Sequence, residues 1–307
     1  MGKILQKGIF FAVITALISG FSIFYNKLVL IKGIDPLNFN ILKNGGVAFF
    51  LSILFISFSG KRMFFIKNTV RHWWKLLCIG IIGGSIPFYL FFEGLKMTSA
   101  LNATLIHKTL FIWVALMAIP FLGERLSFFQ VIGYFFIIFS TFFIGEFSNV
   151  HFGHGELMII GATLLWSVET ILSKIFLKNI SSMILAWGRM FFGTLFLIFI
   201  ALFQGRLQTV IQVPTTQLFP LLGSILFLIG YVTSWYYALQ LAPATTVTVV
   251  LVLSIPITNI LTALFITHTL TSLQFTNNVL ITVSVACIIF SLPSIRTYVK
   301  RLSTHNS

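Results

Sequence analysis

The chain has 307 residues, of which 58% are hydrophobic and only 8% are charged. A soluble domain has about 25% charged residues, so this composition, with a mean hydropathy of +1.02, excludes a water-soluble globule and predicts an integral membrane protein. The net charge of +14 does not indicate nucleic-acid binding, because the basic residues are spread along the chain instead of forming one patch.

Ten apolar segments follow one another, each near the ~20 residues with which an α-helix crosses a membrane. They are centred near Ser19, Ala48, Gly83, Leu110, Phe136, Leu165, Phe196, Ile229, Ser254 and Ser284. We therefore predict an all-α membrane protein with ten transmembrane helices. The first segment is long for a signal peptide and has a counterpart in the sixth, so we expect it to be a membrane helix.

Most basic residues between the segments fall in alternate connections. Lys3 and Lys7 precede the first segment, a cluster at residues 61–75 follows the second, and three more lie at residues 296–301. The positive-inside rule then predicts a multi-pass protein of the cytoplasmic (inner) membrane with both termini cytoplasmic. Membrane lipids with anionic headgroups are the expected partners of this charge.

The chain repeats itself at an offset of about 147 residues. Lys27, near the end of the first segment, matches Lys174, and Lys43 in the second segment matches Arg189. Two repeats are predicted, at residues 1–146 and 147–307, and five helices in each make them inverted. Such a duplication in an apolar chain is typical of a transporter with its site between the repeats. Lys27 and Lys174 are expected to snorkel towards the interface.

Two of the six acidic residues lie inside apolar segments. Glu169 is about 14 residues into the sixth segment, roughly 20 Å along a helix, where a charge costs about 2.5–3.5 kcal/mol. It is expected either to serve function or to form a structural ion pair with a lysine or arginine. Glu93 lies near the outer end of the third segment, and Lys108 is a candidate partner for it.

Further candidates for substrate binding are polar or aromatic side chains within the segments. His107 could relay protons or be hydrogen-bonded structure, and Asn102 lies close to it in the fourth segment. Lys43 and Arg189 lie about two turns into their segments, where they could pair with a carboxylate, bind an anionic substrate group or pack. Aromatic residues that could stack on a ligand, or form part of an interfacial belt, are Trp166, Tyr231 and Trp235.

Several short motifs follow one another along the chain in a particular order. They are Trp166-Ser167-Val168-Glu169 followed by Lys174 and Arg189, Tyr237-Ala238-Leu239 before Ala242-Pro243-Ala244, Phe92-Glu93-Gly94-Leu95 before Ser99-Ala100, and Gly123-Glu124-Arg125-Leu126. This order resembles that of the EamA-type carriers of the drug/metabolite transporter superfamily, over essentially the whole chain. The resemblance implies alternating access around a central cavity, without ATP or another cofactor.

The chain departs from the family pattern at two places where acids stand. Glu169 occupies the Asn position of the family's W-G-x-N motif in the second repeat, and the first repeat has Ser19-Gly20-Phe21-Ser22 at the matching positions. Glu93 stands where the second repeat has Tyr237. The second copy of the G-E-x-L motif reads Thr267-His268-Thr269-Leu270. Two acids at cavity positions favour a cationic or zwitterionic solute, or proton coupling.

We therefore expect a secondary active transporter of a small polar, amino acid-like metabolite that works by proton coupling or by exchange. Whether the protein forms a homodimer is left open. A nucleoside or cofactor-type metabolite is the alternative substrate. A membrane-embedded enzyme or a channel is disfavoured, since no HExxH, GxSxG or filter-like loop occurs. No metal site is expected: Cys78 and Cys287 are read as packing residues, and His151 and His154 near Glu156 as a solvated turn.

Overall fold

The computed structural model describes residues 2–31, 33–57, 59–141, 153–206 and 215–292, and the regular structure within these ranges is entirely helical. The helices are α1 (Gly2–Ile31), α2 (Pro36–Ser57), α3 (Ser59–Ile79), α4 (Ile86–Met97), α5 (Ala100–Lys108), α6 (Leu110–Leu122), α7 (Phe128–Phe139), α8 (His154–Phe176), α9 (Ser182–Phe203), α10 (Thr215–Leu241), α11 (Ala244–Leu251), α12 (Ser254–Thr262) and α13 (Ser272–Ser291). Two π-helical segments, Gly80–Ser85 and Ala263–Thr267, join α3 to α4 and follow α12.

The predicted ten-helix membrane fold is confirmed in these ranges. Among the described residues, nine helical spans are long and apolar enough to cross a membrane, and α7 is a shorter apolar tenth. Three of the described spans consist of more than one helix. The third span is formed by α3, the first π segment and α4, and the fourth by α5 and α6. The ninth is formed by α11, α12 and the second π segment. Glu146 and His151 lie outside the described residues.

The first helix of each half packs inside the other half. Helix α1 lies against α10, α11 and α12, and its counterpart α8 lies against α4, α5 and α6. Two further contacts, α2 with α9 and α7 with α13, join equivalent helices of the two halves. The contacts therefore repeat when the halves are exchanged, as expected for two inverted five-helix repeats.

Lys27 and Lys174, which were expected to snorkel, bind the ends of two helices. Lys27 Nζ donates at 2.8 Å to the carbonyl oxygens of Leu95 and Thr98, at the C-terminal end of α4. Lys174 Nζ donates to the two matching carbonyl oxygens at the end of α10, at 2.6 and 2.7 Å. The last carbonyls of a helix have no intrahelical donor, so the same cap is built at both ends of the molecule.

A carboxylate from the first half caps a helix of the second half. Glu124 accepts hydrogen bonds from the backbone N–H of Ala244 at 2.7 Å, from that of Thr245 at 3.0 Å and from Thr245 Oγ1 at 2.6 Å. These groups form the N-terminus of α11, where a negative charge also interacts favourably with the helix dipole. His268, the repeat counterpart of Glu124, is exposed with a φ of 52°.

The first π segment touches α9 directly through backbone atoms. A Cβ atom on Gly84 would overlap the carbonyl oxygen of Arg189 and lie 3.1 Å from the Cα of Gly193. A Cβ on Gly193 would in turn lie 2.5 Å from the carbonyl oxygen of Gly84. Only glycine permits this approach, and it brings the π segment beside the residues described next.

Candidate functional site

A cavity with about 660 Å³ of empty volume lies between the two halves. Helices α1, α2, α4, α5 and α6 of the first half and α8, α9 and α10 of the second form its wall. The lining residues are Ser19, Ser22, Ile23, Asn26, Lys43, Phe88, Phe91, Phe92, His107, Leu110, Trp166, Glu169, Thr170, Arg189, Leu228, Tyr231 and Trp235.

The structure brings seven of the nine predicted site residues to this wall. They are Lys43, His107, Trp166, Glu169, Arg189, Tyr231 and Trp235. Asn102 is not among the lining residues and lies in the first turn of α5, where its backbone N–H donates to Ser99 Oγ at 3.0 Å. The predicted residues thus converge from helices that are far apart in the sequence.

Glu93 lies away from the cavity wall in an ion-pair cluster. Its Oε1 is 3.4 Å from Arg206 Nη1, just after α9, and the same nitrogen is 3.7 Å from Asp35 Oδ2. Lys108, the partner considered for Glu93, is buried instead and donates to Ser19 Oγ at 3.0 Å. The cluster ties the end of α9 to the third membrane helix and to the turn before α2.

Glu169 is held in a buried network on the second-half side of the cavity. Its Oε2 is 3.8 Å from Arg189 Nη1. Its Oε1 accepts hydrogen bonds from the hydroxyls of Tyr236 and Ser173, both at 2.5 Å. The structural ion pair considered from the sequence is therefore present, on a residue that also lines the cavity.

One backbone carbonyl positions two of the lining side chains. Pro87 has no N–H to donate to the carbonyl oxygen of Gly83, four residues earlier. That oxygen instead accepts hydrogen bonds from Trp166 Nε1 at 2.9 Å and from Arg189 Nε at 3.1 Å. A proline in the first half thus orients an indole and a guanidinium of the second half.

Lys43 faces the cavity among phenylalanine rings. Its Nζ lies 3.8 Å from the ring centroid of Phe92, 4.7 Å from that of Phe39 and 5.1 Å from that of Phe88. The side chain is 1% exposed, and within the described part of the chain no ion pair or hydrogen bond to its ammonium group is found. Arg189 Cζ lies 5.5 Å from the centroid of the Phe88 ring, so Lys43 and Arg189 both contact this ring.

The rest of the wall is aromatic with a few polar atoms. The His107 ring is 4.8 Å from that of Trp166, and the rings of Tyr231 and Trp235 are stacked with an interplanar angle of 8°. His107 Nδ1 and Asn26 Oδ1 are buried and have no hydrogen-bond partner among the residues that the structure describes. Such a wall can pack against the apolar part of a solute while a few polar atoms bind its functional groups.

Sequence reasoning missed the phenylalanines around Lys43 and the polar side chains of α1. Phe88 and Phe92 are one helical turn apart, as are Phe39 and Lys43, and this spacing places each pair on one helix face. With 36 phenylalanines in the chain, however, such pairs arise often. Asn26 lies one turn beyond Ser22, and no motif singles it out.

Comparison with known proteins gives the family. The sequence model of the EamA-like transporter family matches residues 6–145 and 153–290. The chain belongs to this family. The resemblance seen in the motifs is therefore confirmed, and the chain is a multi-pass integral membrane protein.

Individual relatives are similar over part of their length. An Archaeoglobus fulgidus protein named as an uncharacterized transporter is 31% identical over 192 residues, which cover 60% of this chain and 64% of the relative. The Bacillus subtilis uncharacterized transporter YyaM is 27% identical over 154 residues, 48% of this chain and 49% of that one. The match spans less than two thirds of either relative.

A solved structure shares the fold. The crystal structure of another protein aligns with a TM-score of 0.63 at 15% identity, over 91% of this chain and 99% of that chain. At this level of identity the likeness shows the fold alone.

Proposed function

We propose that the protein is a secondary active transporter that moves a small polar metabolite across the membrane by alternating access. The observation that carries the proposal is the cavity between two inverted halves, lined by charged and aromatic side chains from both. A site at the repeat interface is what relative motion of the halves would expose to each side in turn. Family membership over both halves supports the same function.

Among the substrates considered, the geometry favours an amino acid-like zwitterion over a purely cationic solute. The carboxylate of Glu169 already has Arg189, Tyr236 and Ser173 as partners, so a cationic substrate would have to compete with an arginine for it. A nucleoside or cofactor-type metabolite is the alternative that the stacked Tyr231 and Trp235 would suit. Transport by exchange or by proton coupling fits either substrate, and homodimer formation stays a prediction.

For the orientation we propose cytoplasmic termini in the inner membrane. The basic residues of the connections support this arrangement through the positive-inside rule. In that orientation the Lys27 cap faces the outside, and the Lys174 cap and Glu124 face the cytoplasm.

Exchange in liposomes tests the transport function. Purified protein would be reconstituted in liposomes loaded with a pooled metabolite mixture, and mass spectrometry would follow which solutes exchange. We expect selective, saturable exchange that is reduced in Glu169→Gln and kept in Glu156→Gln. Glu156 is a matched control because it is also a buried acid, bound to Thr98 Oγ1 at 2.5 Å, but it does not line the cavity.

Two results would contradict different parts of the proposal. Folded wild-type protein that exchanges no solute of the pool would contradict the transporter proposal. Equal exchange by both variants would leave transport standing but remove Glu169 from the mechanism.

A further inference from the structure

The second half of the molecule surrounds its cavity cation with compensating groups. Arg189 has the carboxylate of Glu169 at 3.8 Å and the hydroxyl of Tyr236 at 3.4 Å. Ser173, one turn after Glu169, donates a hydrogen bond to that carboxylate. This buried charge is therefore balanced within the protein, as a cation in a membrane interior requires.

The first half has the same arrangement without the acid. Lys43 is the repeat counterpart of Arg189, Phe92 that of Tyr236, Ser22 that of Glu169 and Asn26 that of Ser173. The hydrogen bond from Asn26 Nδ2 to Ser22 Oγ, at 3.1 Å, repeats the one from Ser173 to Glu169. A serine hydroxyl thus stands where the other half holds a carboxylate, and it lines the cavity.

The equivalence of these positions has structural support. Lys27 follows Ser22 on α1, and Lys174 follows Glu169 on α8 at the same spacing. The two lysines bind matching carbonyl oxygens of α4 and α10. The two helices and their neighbours are therefore in the same register in both halves.

The rings around Lys43 do not replace a counter-charge. A cation–π contact stabilises an ammonium group by much less than its removal from water costs. Phenylalanine is also a weaker partner for a cation than tryptophan. Lys43 therefore lacks a counter-anion within the described part of the protein. An anion could reach it from the cavity, which Lys43 lines.

We propose that the substrate carries an acid group that binds Lys43. This group would lie beside Ser22, at the position where the second half has the carboxylate of Glu169. The inference rests on the transport function proposed above and names the substrate class for the same cavity. Ser22 Oγ would accept or donate a hydrogen bond beside the acid group. Asn26 Oδ1 and His107 Nδ1 are the acceptors for a donor on the same solute, such as an amino group.

The test uses matched compounds that differ only in their charged groups. One set is leucine, isoamylamine and 4-methylvalerate, and the other is phenylalanine, phenethylamine and 3-phenylpropionate. Each compound would be tested for stabilisation of the purified protein against heat, which reports binding alone, and for counterflow in proteoliposomes, which reports transport. The variants are Lys43→Gln, Lys43→Arg, Ser22→Glu and, as its neutral control, Ser22→Gln.

We expect the acid-bearing members of a set to bind and to exchange, and the amine to do neither. Lys43→Gln should weaken binding of the acids about 10- to 100-fold, as for loss of a hydrogen bond to a charged group, and Lys43→Arg should keep part of it. Ser22→Glu should supply the missing carboxylate from the protein itself. It should therefore abolish acid binding without loss of thermal stability, while Ser22→Gln keeps measurable binding.

Other results would overturn the inference. Binding of amines alone, undiminished acid binding in Lys43→Gln or Ser22→Glu, or folded wild-type protein that no acid stabilises would each do so. Lys43-dependent binding of acids without any counterflow would uphold the acid site and reject transport. Counterflow of amines alone would uphold transport and reject the acid site, so the two proposals fail separately.

Discussion

Replacing Gly84 by alanine should destabilise the protein, although the same change elsewhere in a helix should stabilise it. Gly84 lies in the first π segment, where a Cβ atom would overlap the carbonyl oxygen of Arg189. Gly161 provides the matched control, because a Cβ there would meet only Leu90 Cδ1, at an ordinary contact distance of 3.5 Å. Both substitutions add one methyl group to a helical glycine between the same two halves.

The expected magnitudes follow from these contacts. An alanine in a helix interior is favoured over glycine by about 0.5–1 kcal/mol, and overpacking costs about 1–3 kcal/mol. At Gly84 the neighbour is backbone and cannot rotate away, so we expect the upper end of that cost and a net loss of about 2 kcal/mol in the free energy of unfolding. Gly161→Ala should gain up to about 1 kcal/mol.

Thermal unfolding in detergent micelles, followed by the fluorescence of the six tryptophans, would measure both changes. A change of 1 kcal/mol shifts Tm by about 2–4 °C in chains of 150–250 residues. We therefore expect Tm to fall by about 4–8 °C in Gly84→Ala and to rise by about 1–4 °C in Gly161→Ala. Equal Tm values for the two variants would refute the close backbone contact, and so would a Gly193→Ala variant as stable as wild type.

Three further predictions concern the hydrogen bonds and ion pairs at the helix ends. Glu124→Gln should lower the free energy of unfolding by about 1–3 kcal/mol, since a charged acceptor at the start of α11 is lost, and chemical denaturation should show no such loss in His268→Gln. Lys27→Met and Lys174→Met should each reduce Tm, and by similar amounts because each removes two hydrogen bonds to carbonyls; a loss in only one of them would contradict the equivalence of the caps. Arg206→Gln should change the free energy of unfolding by less than about 1 kcal/mol, because its ion pairs are partly exposed, and a larger change in a denaturant titration would show that the cluster is more than a surface contact.

The fold and the charged residues of the cavity wall could be predicted because they depend on signals that the sequence carries directly. Ten apolar segments of membrane length predict ten helices, and the offset between Lys27 and Lys174 predicts two equivalent halves. Polar residues within apolar segments avoid lipid, so Glu169 and Arg189 could be expected to face each other or a cavity.

The partners that the sequence left undecided are those that depend on how helix ends meet. Glu93 pairs with Arg206, which follows a helix of the other half, and no spacing rule connects the two. The lysine caps could not be predicted either, because their acceptors are backbone carbonyls, which every residue has. Lys108 is a candidate partner for Glu93 by sequence, but in the structure it donates to Ser19 Oγ instead.

The carbonyl oxygen of Gly83 connects the π segment of the third membrane helix to the wall of the cavity. Pro87 has no N–H to donate to it, and it accepts hydrogen bonds from Trp166 Nε1 and Arg189 Nε instead. A movement of the π segment before Pro87 would therefore move the acceptor that both side chains share. Helix flexing in one half and the shape of the pocket in the other are thus coupled through a single atom, with no loop or side chain of the first half in between.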